Sequence, residues 1–97
     1  MAKGYWITIY HSVSDAAALA EYAQHAGPAI EGAGGRILAR GVPTKTYEAG
    51  EAQRVVVIEF DSVEKAIAAY ESAAYQAAFR HLGNGAKREI RIVEGLN

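Results

Sequence analysis

The sequence predicts an α+β domain of order βαββαβ, in which a four-stranded antiparallel sheet carries two helices on one face. Three observations lead there. Four short runs rich in β-branched and aromatic residues recur along the chain, two alanine-rich stretches with apolar spacings of three and four stand among them, and glycine clusters mark the ends of several segments. At 97 residues the chain has room for one domain, taken as residues 1–97.

The first run, Gly4-Tyr5-Trp6-Ile7-Thr8-Ile9-Tyr10-His11, is a poor helix and a good strand. Ser14 and Asp15 then offer a cap and a first-turn acid to a helix whose apolar stripe is Leu19, Tyr22, Ala26 and Ile30. Gly27-Pro28 predicts a kink or restart within it, because proline lacks the N–H that the preceding turn needs. Gly32 and Gly34-Gly35 end the helix, and Arg36-Ile37-Leu38-Ala39-Arg40 reads as the second strand. Residues 41–53, with Gly41, Pro43 and Gly50, suit a long hairpin connection with frayed strand extensions. Arg54 to Phe60 is the clearest strand. A second helix follows, with Asp61 or Ser62 as its cap and Ala66, Ile67 and Tyr70 on one stripe. It either runs on or breaks near Ser72 before a short helix through Tyr75 and Phe79. Gly83-Asn84-Gly85 stops it, and Arg88 to Glu94 is the last strand.

This order is the split βαβ pattern of the ferredoxin-like fold. Alternation assigns Ile7, Ile9, Ile37, Val56, Ile58, Phe60, Ile90 and Ile92 to the helix side of the sheet. The other face is then expected to carry Trp6, Thr8, Tyr10, Leu38, Val55, Val57 and Val93, together with Arg36, Arg40, Glu59 and Arg91. Such a face is too apolar to leave wet and too charged to be a dry core, which predicts a face-to-face homodimer around a polar-lined cavity. The chain's size agrees, since 20 of its apolar residues are alanines and a domain this short buries only ~60–65% of its unfolded surface alone.

Composition narrows the function. Ten Lys and Arg against 11 Asp and Glu, a formal charge of -1 and no run of like charges leave no footprint for nucleic acid or an anionic membrane. The absence of cysteine removes disulfides, thiolate nucleophiles and thiolate metal sites. The opening apolar run is too short for a signal peptide or a membrane span, and a cytoplasmic location is the expectation.

Lys3-Gly4-Tyr5-Trp6-Ile7, the Tyr22 to Pro28 spacing, Gly34-Gly35-Arg36 with Leu38-Ala39-Arg40-Gly41, the Arg54 to Phe60 strand, Tyr70-Glu71-Ser72 with Tyr75-Gln76, and Val93-Glu94-Gly95 occur in this order. Together they resemble a bacterial family of small domains of unknown function in the dimeric α/β-barrel superfamily. The resemblance covers nearly the whole chain. It implies a ferredoxin-like protomer and a homodimer whose two sheets close into a barrel, and it brings no settled activity. This chain departs from the family at Val42, Ala69 and Ala73-Ala74, and the family's arginine beyond the Tyr-Gln pair falls at Leu82, with Arg80 the nearest arginine.

Among chemistry-bearing residues, Arg40 and Glu59 are expected as neighbours inside the dimer cavity. There the arginine would hold a ligand carboxylate or enolate, or else the two would form an internal ion pair that sets the register. His11 ends the first strand near the expected barrel mouth and is the candidate general base. Trp6 and Tyr10, with Tyr47, Tyr70 and Tyr75, could stack on a planar ligand or simply pack an interface. His25 and His81 suit surface positions. No histidine pair has metal-ligand spacing along the chain, so neither a metal nor a cofactor is expected. The reading that results is a homodimeric barrel binding a planar or carboxylated organic molecule, with cofactor-independent chemistry within its reach. The alternative is a non-catalytic ligand sensor or structural dimerisation module.

Overall fold

Strand β1 (Gly4–Val13) is the hub of the sheet, because it pairs antiparallel with two later strands and so needs both edges of its backbone. The structure, a computed structural model, describes residues 2–96, so the two ends of the expected domain, residues 1 and 97, lie outside the described residues. Helix α1 (Ala16–Gly32) follows, then β2 (Arg36–Gly41), β3 (Val55–Phe60), α2 (Val63–Glu71), α3 (Ala73–Leu82) and β4 (Ala86–Glu94). The strand order β2-β3-β1-β4 with all pairs antiparallel is the ferredoxin-like arrangement expected from the sequence. Among the described residues no helix is long and apolar enough to cross a membrane.

The caps explain where the helices start. The Asp15 carboxylate accepts from the Ala18 N–H at 3.0 Å, and the Ser62 hydroxyl accepts from the Lys65 N–H at 3.2 Å, so Ser62 and not Asp61 is the cap of α2. Ser72 both closes α2 and opens α3. Its hydroxyl donates to the Ala69 carbonyl at 2.7 Å and accepts from the Tyr75 N–H at 3.2 Å. The expected restart at Gly27-Pro28 does not occur, and α1 runs through Pro28 to Gly32. Pro28 and Gln24, four residues before it, are both exposed, so water can serve the carbonyl that loses its donor. Residues 42–54 form an irregular loop without the expected strand extensions.

The helices cover one face of the sheet, and the core lies beneath them: Trp6, Ile58, Phe60, Ala66, Tyr75 and Ala78 are all but inaccessible. Strands β3 and β4 face as their alternation predicts, β2 does so only as far as Ile37, and β1 is reversed. Trp6, Thr8 and Tyr10 point toward the helices, opposite Ile58 and Val56 of β3 and Ile92, Ile90 and Arg88 of β4, while Ile7 and Ile9 lie on the open face. Gly4 fixes this parity. A Cβ there would sit 2.5 Å from the Ser62 carbonyl oxygen, so only glycine can pass under the start of α2, and Trp6 and Tyr10 fall on the same side. Thr8 is a buried polar residue with its partner supplied, since the Trp6 indole N–H donates to its hydroxyl at 2.8 Å.

A second correction comes from β2. The ladder skips a residue between Ile37 and Ala39, leaving Leu38 extra, so that Arg40 stands opposite Val56 on the helix side. Arg36, before the bulge, stands opposite Glu59 on the open face.

Candidate functional site

Arg88 sits on β4 at the same parity as Ile90 and Ile92, so its strand aims a guanidinium under the helices. Three tyrosines from different elements converge on it. Its guanidinium donates to the hydroxyls of Tyr75 at 2.9 Å, Tyr22 at 3.1 Å and Tyr10 at 3.4 Å. The Tyr22 and Tyr75 hydroxyls also bond each other at 2.8 Å, which ties α1 to α3. The charge lies 4.7 Å from the Tyr22 ring centre, 5.5 Å from that of Phe79 and 5.7 Å from that of Tyr10, so aromatic faces replace much of the lost water. Burial works against the arginine's charge, but the Tyr22 and Tyr75 oxygens outweigh it and hold the guanidinium above its ordinary value. Burial also pushes the Tyr75 and Tyr10 hydroxyls up, so both are neutral donors at physiological pH.

Two spaces meet at Arg88. A cleft of about 670 Å³ lies between α2, α3 and the edge strand β4, walled by Ile67, Tyr70, Phe79, Ile90 and Ile92 with Arg88, Lys87 and Glu71 as its charged groups. A much smaller hollow of about 40 Å³ lies between the sheet and α1, lined by Trp6, Thr8, Tyr10 and Tyr22, with Arg40 and Arg54 among its residues. Among the described residues Arg88 pairs with no carboxylate. The larger space therefore offers a fixed cation, the Tyr70 side chain and apolar walls, a combination suited to a small anion with a hydrophobic body.

The five residues singled out from the sequence do not form one site. Tyr10 is 2% exposed and belongs to the Arg88 cluster. Trp6 is fully buried, packed edge-on to Tyr75 with ring centres 4.9 Å apart. Arg40 is exposed and borders the small hollow. Glu59 and His11 lie on the opposite face of the sheet. The expected Arg40–Glu59 pair is replaced by Arg36–Glu59, with Arg36 Nε donating to Oε1 at 3.0 Å and the Tyr5 hydroxyl donating to Oε2 at 3.0 Å. Those two donors, Arg36 first, hold the Glu59 carboxyl below its usual range. Arg36 also reaches Asp61 at 3.1 Å.

His11 is bracketed by carboxylates. Its Nε2 lies 3.0 Å from Glu89 and its Nδ1 3.2 Å from Glu51, and these hydrogen bonds, Glu89 first, raise its pKa. Glu89 also engages Arg91. Of the remaining aromatics, Tyr70 packs beside Trp6 and lines the cleft, whereas Tyr47 is 74% exposed on the loop. Arg80 is exposed and Leu82 is buried, so neither occupies the place that Arg88 fills from β4. Arg88 and Tyr22 are the members of the cluster that the sequence does not single out. The available signal was a charged residue at the core parity of a strand otherwise carrying Ile90 and Ile92.

Solved structures share this architecture at low identity. A protein of unknown function from Rhodopseudomonas palustris is 16% identical with a TM-score of 0.75, the match covering 99% of this chain and 84% of that one. A dimeric ferredoxin-like protein of unknown function from Thermobifida fusca is 14% identical with a TM-score of 0.64, over 95% of this chain and 90% of that one. An EthD family protein from Bacillus halodurans is 17% identical with a TM-score of 0.64, over 99% of this chain and 100% of that one. At these identities the likeness establishes the fold. No curated protein matches the sequence. The family model for the domain of unknown function DUF1330 matches residues 3–96, nearly the whole chain, and the protein belongs to that family.

Proposed function

We propose that the protein binds a small carboxylated organic molecule, with an apolar or planar body, in the cleft beside Arg88, and that it does so as a homodimer joined through the open face of its sheet. The observation that carries the ligand reading is Arg88 itself. A half-buried guanidinium with three tyrosine hydroxyls and no acid partner among the described residues sits at the end of an apolar cleft of about 670 Å³. A ligand carboxylate would supply the missing counter-charge, and Tyr70, Phe79 and Ile92 would pack its body. In this reading Tyr10 and Trp6 support the arginine from behind, Arg40 guards the smaller hollow, and His11 and Glu59 belong to the subunit interface.

The dimer reading rests on Tyr5, Ile7, Ile9, Val55, Val57 and Val93, which share the open face, away from the helices, with Val93 exposed and the others partly so. Structural relatives from Thermobifida fusca and Bacteroides fragilis are described as dimeric ferredoxin-like proteins, which supports a second copy as the cover. Cofactor-independent chemistry fits the same cleft, with Glu71 as the carboxylate that takes a proton and Arg88 as the cation that steadies the resulting enolate.

The test is a thermal-shift and calorimetric screen of aromatic and aliphatic monocarboxylates against the parent and Arg88→Met. The parent should bind at least one class, and Arg88→Met should lose that binding. It should stay folded but lose about 1–3 kcal/mol in urea unfolding, because the tyrosine hydroxyls lose their shared donor. A variant that binds the same acid unchanged, or one that unfolds, would move Arg88 from ligand recognition to structure.

A further inference from the structure

We propose a second, separate site on the outer surface of the helices: Glu21, His25 and His81 bind a divalent transition metal ion of the zinc type. Glu21 and His25 lie four residues apart on α1 and so share one face of that helix. His81 reaches the same place from the last turn of α3. One oxygen of Glu21 lies 3.5 Å from His25 Nε2 and 4.0 Å from His81 Nδ1, and the two imidazoles stack with ring centres 4.2 Å apart and planes 5° from parallel. The three donor atoms all fall within 4.8 Å of one another.

The donor set selects the ion class. Two imidazole nitrogens and one carboxylate suit zinc, nickel or copper, whereas magnesium and calcium demand a shell of oxygens. Bonds of about 2.0–2.1 Å in a tetrahedron place donors roughly 3.3 Å apart, so the present spacing needs about 1 Å of closure. All three side chains are exposed, and side-chain rotation can supply that movement, turning the imidazoles out of their parallel stack so that both lone pairs meet at one ion. The backbones beneath them are already fixed, because the Tyr22–Tyr75 hydrogen bond of 2.8 Å joins α1 to α3 one residue from Glu21. Three protein donors leave a fourth position for water or a partner's ligand. The bound ion would clamp α1 to α3 without touching the Arg88 cleft. The spacing is invisible along the chain, since His81 is 56 residues beyond His25.

Titrating zinc chloride into the purified chain, followed by calorimetry and thermal melting, tests this. One ion should bind per chain and raise the melting temperature, and His25→Ala and His81→Ala should each weaken binding by about tenfold or more while leaving the metal-free melt unchanged. Cobalt(II) should give visible absorption bands in the parent that His81→Ala lacks. Glu21→Gln should fall between the parent and the histidine variants. Absence of binding, or zinc affinity and cobalt bands that survive in His81→Ala, would overturn the proposal. Survival would place the ion elsewhere, for instance between His11 and its two carboxylates.

Discussion

Gly4 and Arg40 show how a single residue directs chemistry here. A methyl group at Gly4 would overlap the Ser62 backbone, so Gly4→Ala should lower stability by about 3 kcal/mol, read from urea unfolding, as overpacking against an unyielding backbone does. An unchanged unfolding midpoint would mean that α2 can shift, and that another residue sets the parity of β1. Titration also acts at this scale. His11 has its pKa raised above 6.5, chiefly by Glu89, so its contribution is complete below 6.5 and is lost as pH rises through the folded value. Glu59, lowered chiefly by Arg36, and Glu89, lowered chiefly by His11, contribute above about 4.5 and lose that contribution as pH falls through their folded values. Stability should therefore decline on both sides of a plateau. Glu59→Gln should flatten the acid limb and His11→Asn the alkaline one, checked by urea midpoints across pH; identical profiles in parent and variants would remove these groups from the account. Arg40 was expected beside Glu59 because strict alternation puts 36, 38 and 40 on one face. The register before the bulge sets Arg36 opposite Glu59, and the extra residue at Leu38 then turns Arg40 to the helix side.

Helix boundaries were the most legible elements, since caps are local chemistry. Ser72, Gly34 and Gly83 act where their residue types predict, Ser62 caps α2 in place of Asp61, and the two glycines take φ values of 95° and 51° that other residues seldom adopt. Ser72 serves two helices at once, so Ser72→Ala should cost about 1–2 kcal/mol, the upper part of the range for one cap. Ser72→Asp keeps an acceptor for the Tyr75 N–H but cannot donate to the Ala69 carbonyl, and its melting temperature should fall between those of Ser72→Ala and the parent. If Ser72→Ala melts with the parent, the break between α2 and α3 is held by packing and not by the cap. The faces of β1 were the least legible, because Tyr5, Trp6, Ile7, Ile9 and Tyr10 supply apolar residues to both sides of a central strand.

For the whole molecule the decisive surface is the open face, now assigned to Tyr5, Ile7, Ile9, Val55, Val57 and Val93, with Glu59–Arg36 and His11–Glu89 at its margins. In the proposed dimer this face would be the interface, and obligate interfaces bury ~2000 Å² or more in total. Val57→Asp places an unpaired carboxylate in its middle and should cost about 3 kcal/mol or more or separate the subunits, whereas Ala68→Asp on the exposed side of α2 should be nearly silent. Light scattering and melting of both variants decide the matter. A parent with the mass of one chain, or a Val57→Asp protein indistinguishable from Ala68→Asp, would leave the open face to solvent.

Element order, the approximate helix ends and the family were determined by the sequence alone, because turns, caps and hydrophobic periodicity are written within a few residues of one another. The parity of β1, the partner of Glu59, the convergence of Tyr10, Tyr22 and Tyr75 on Arg88, and the meeting of His81 with Glu21 and His25 were decided by tertiary structure. Each depends on residues far apart in the chain, and the first turns on the close passage of Gly4 beneath α2, as the face of Arg40 turns on the extra residue at Leu38. A one-residue shift sends every later side chain of a strand to the other face, so local pattern reads the strand but only its neighbours say which way it looks.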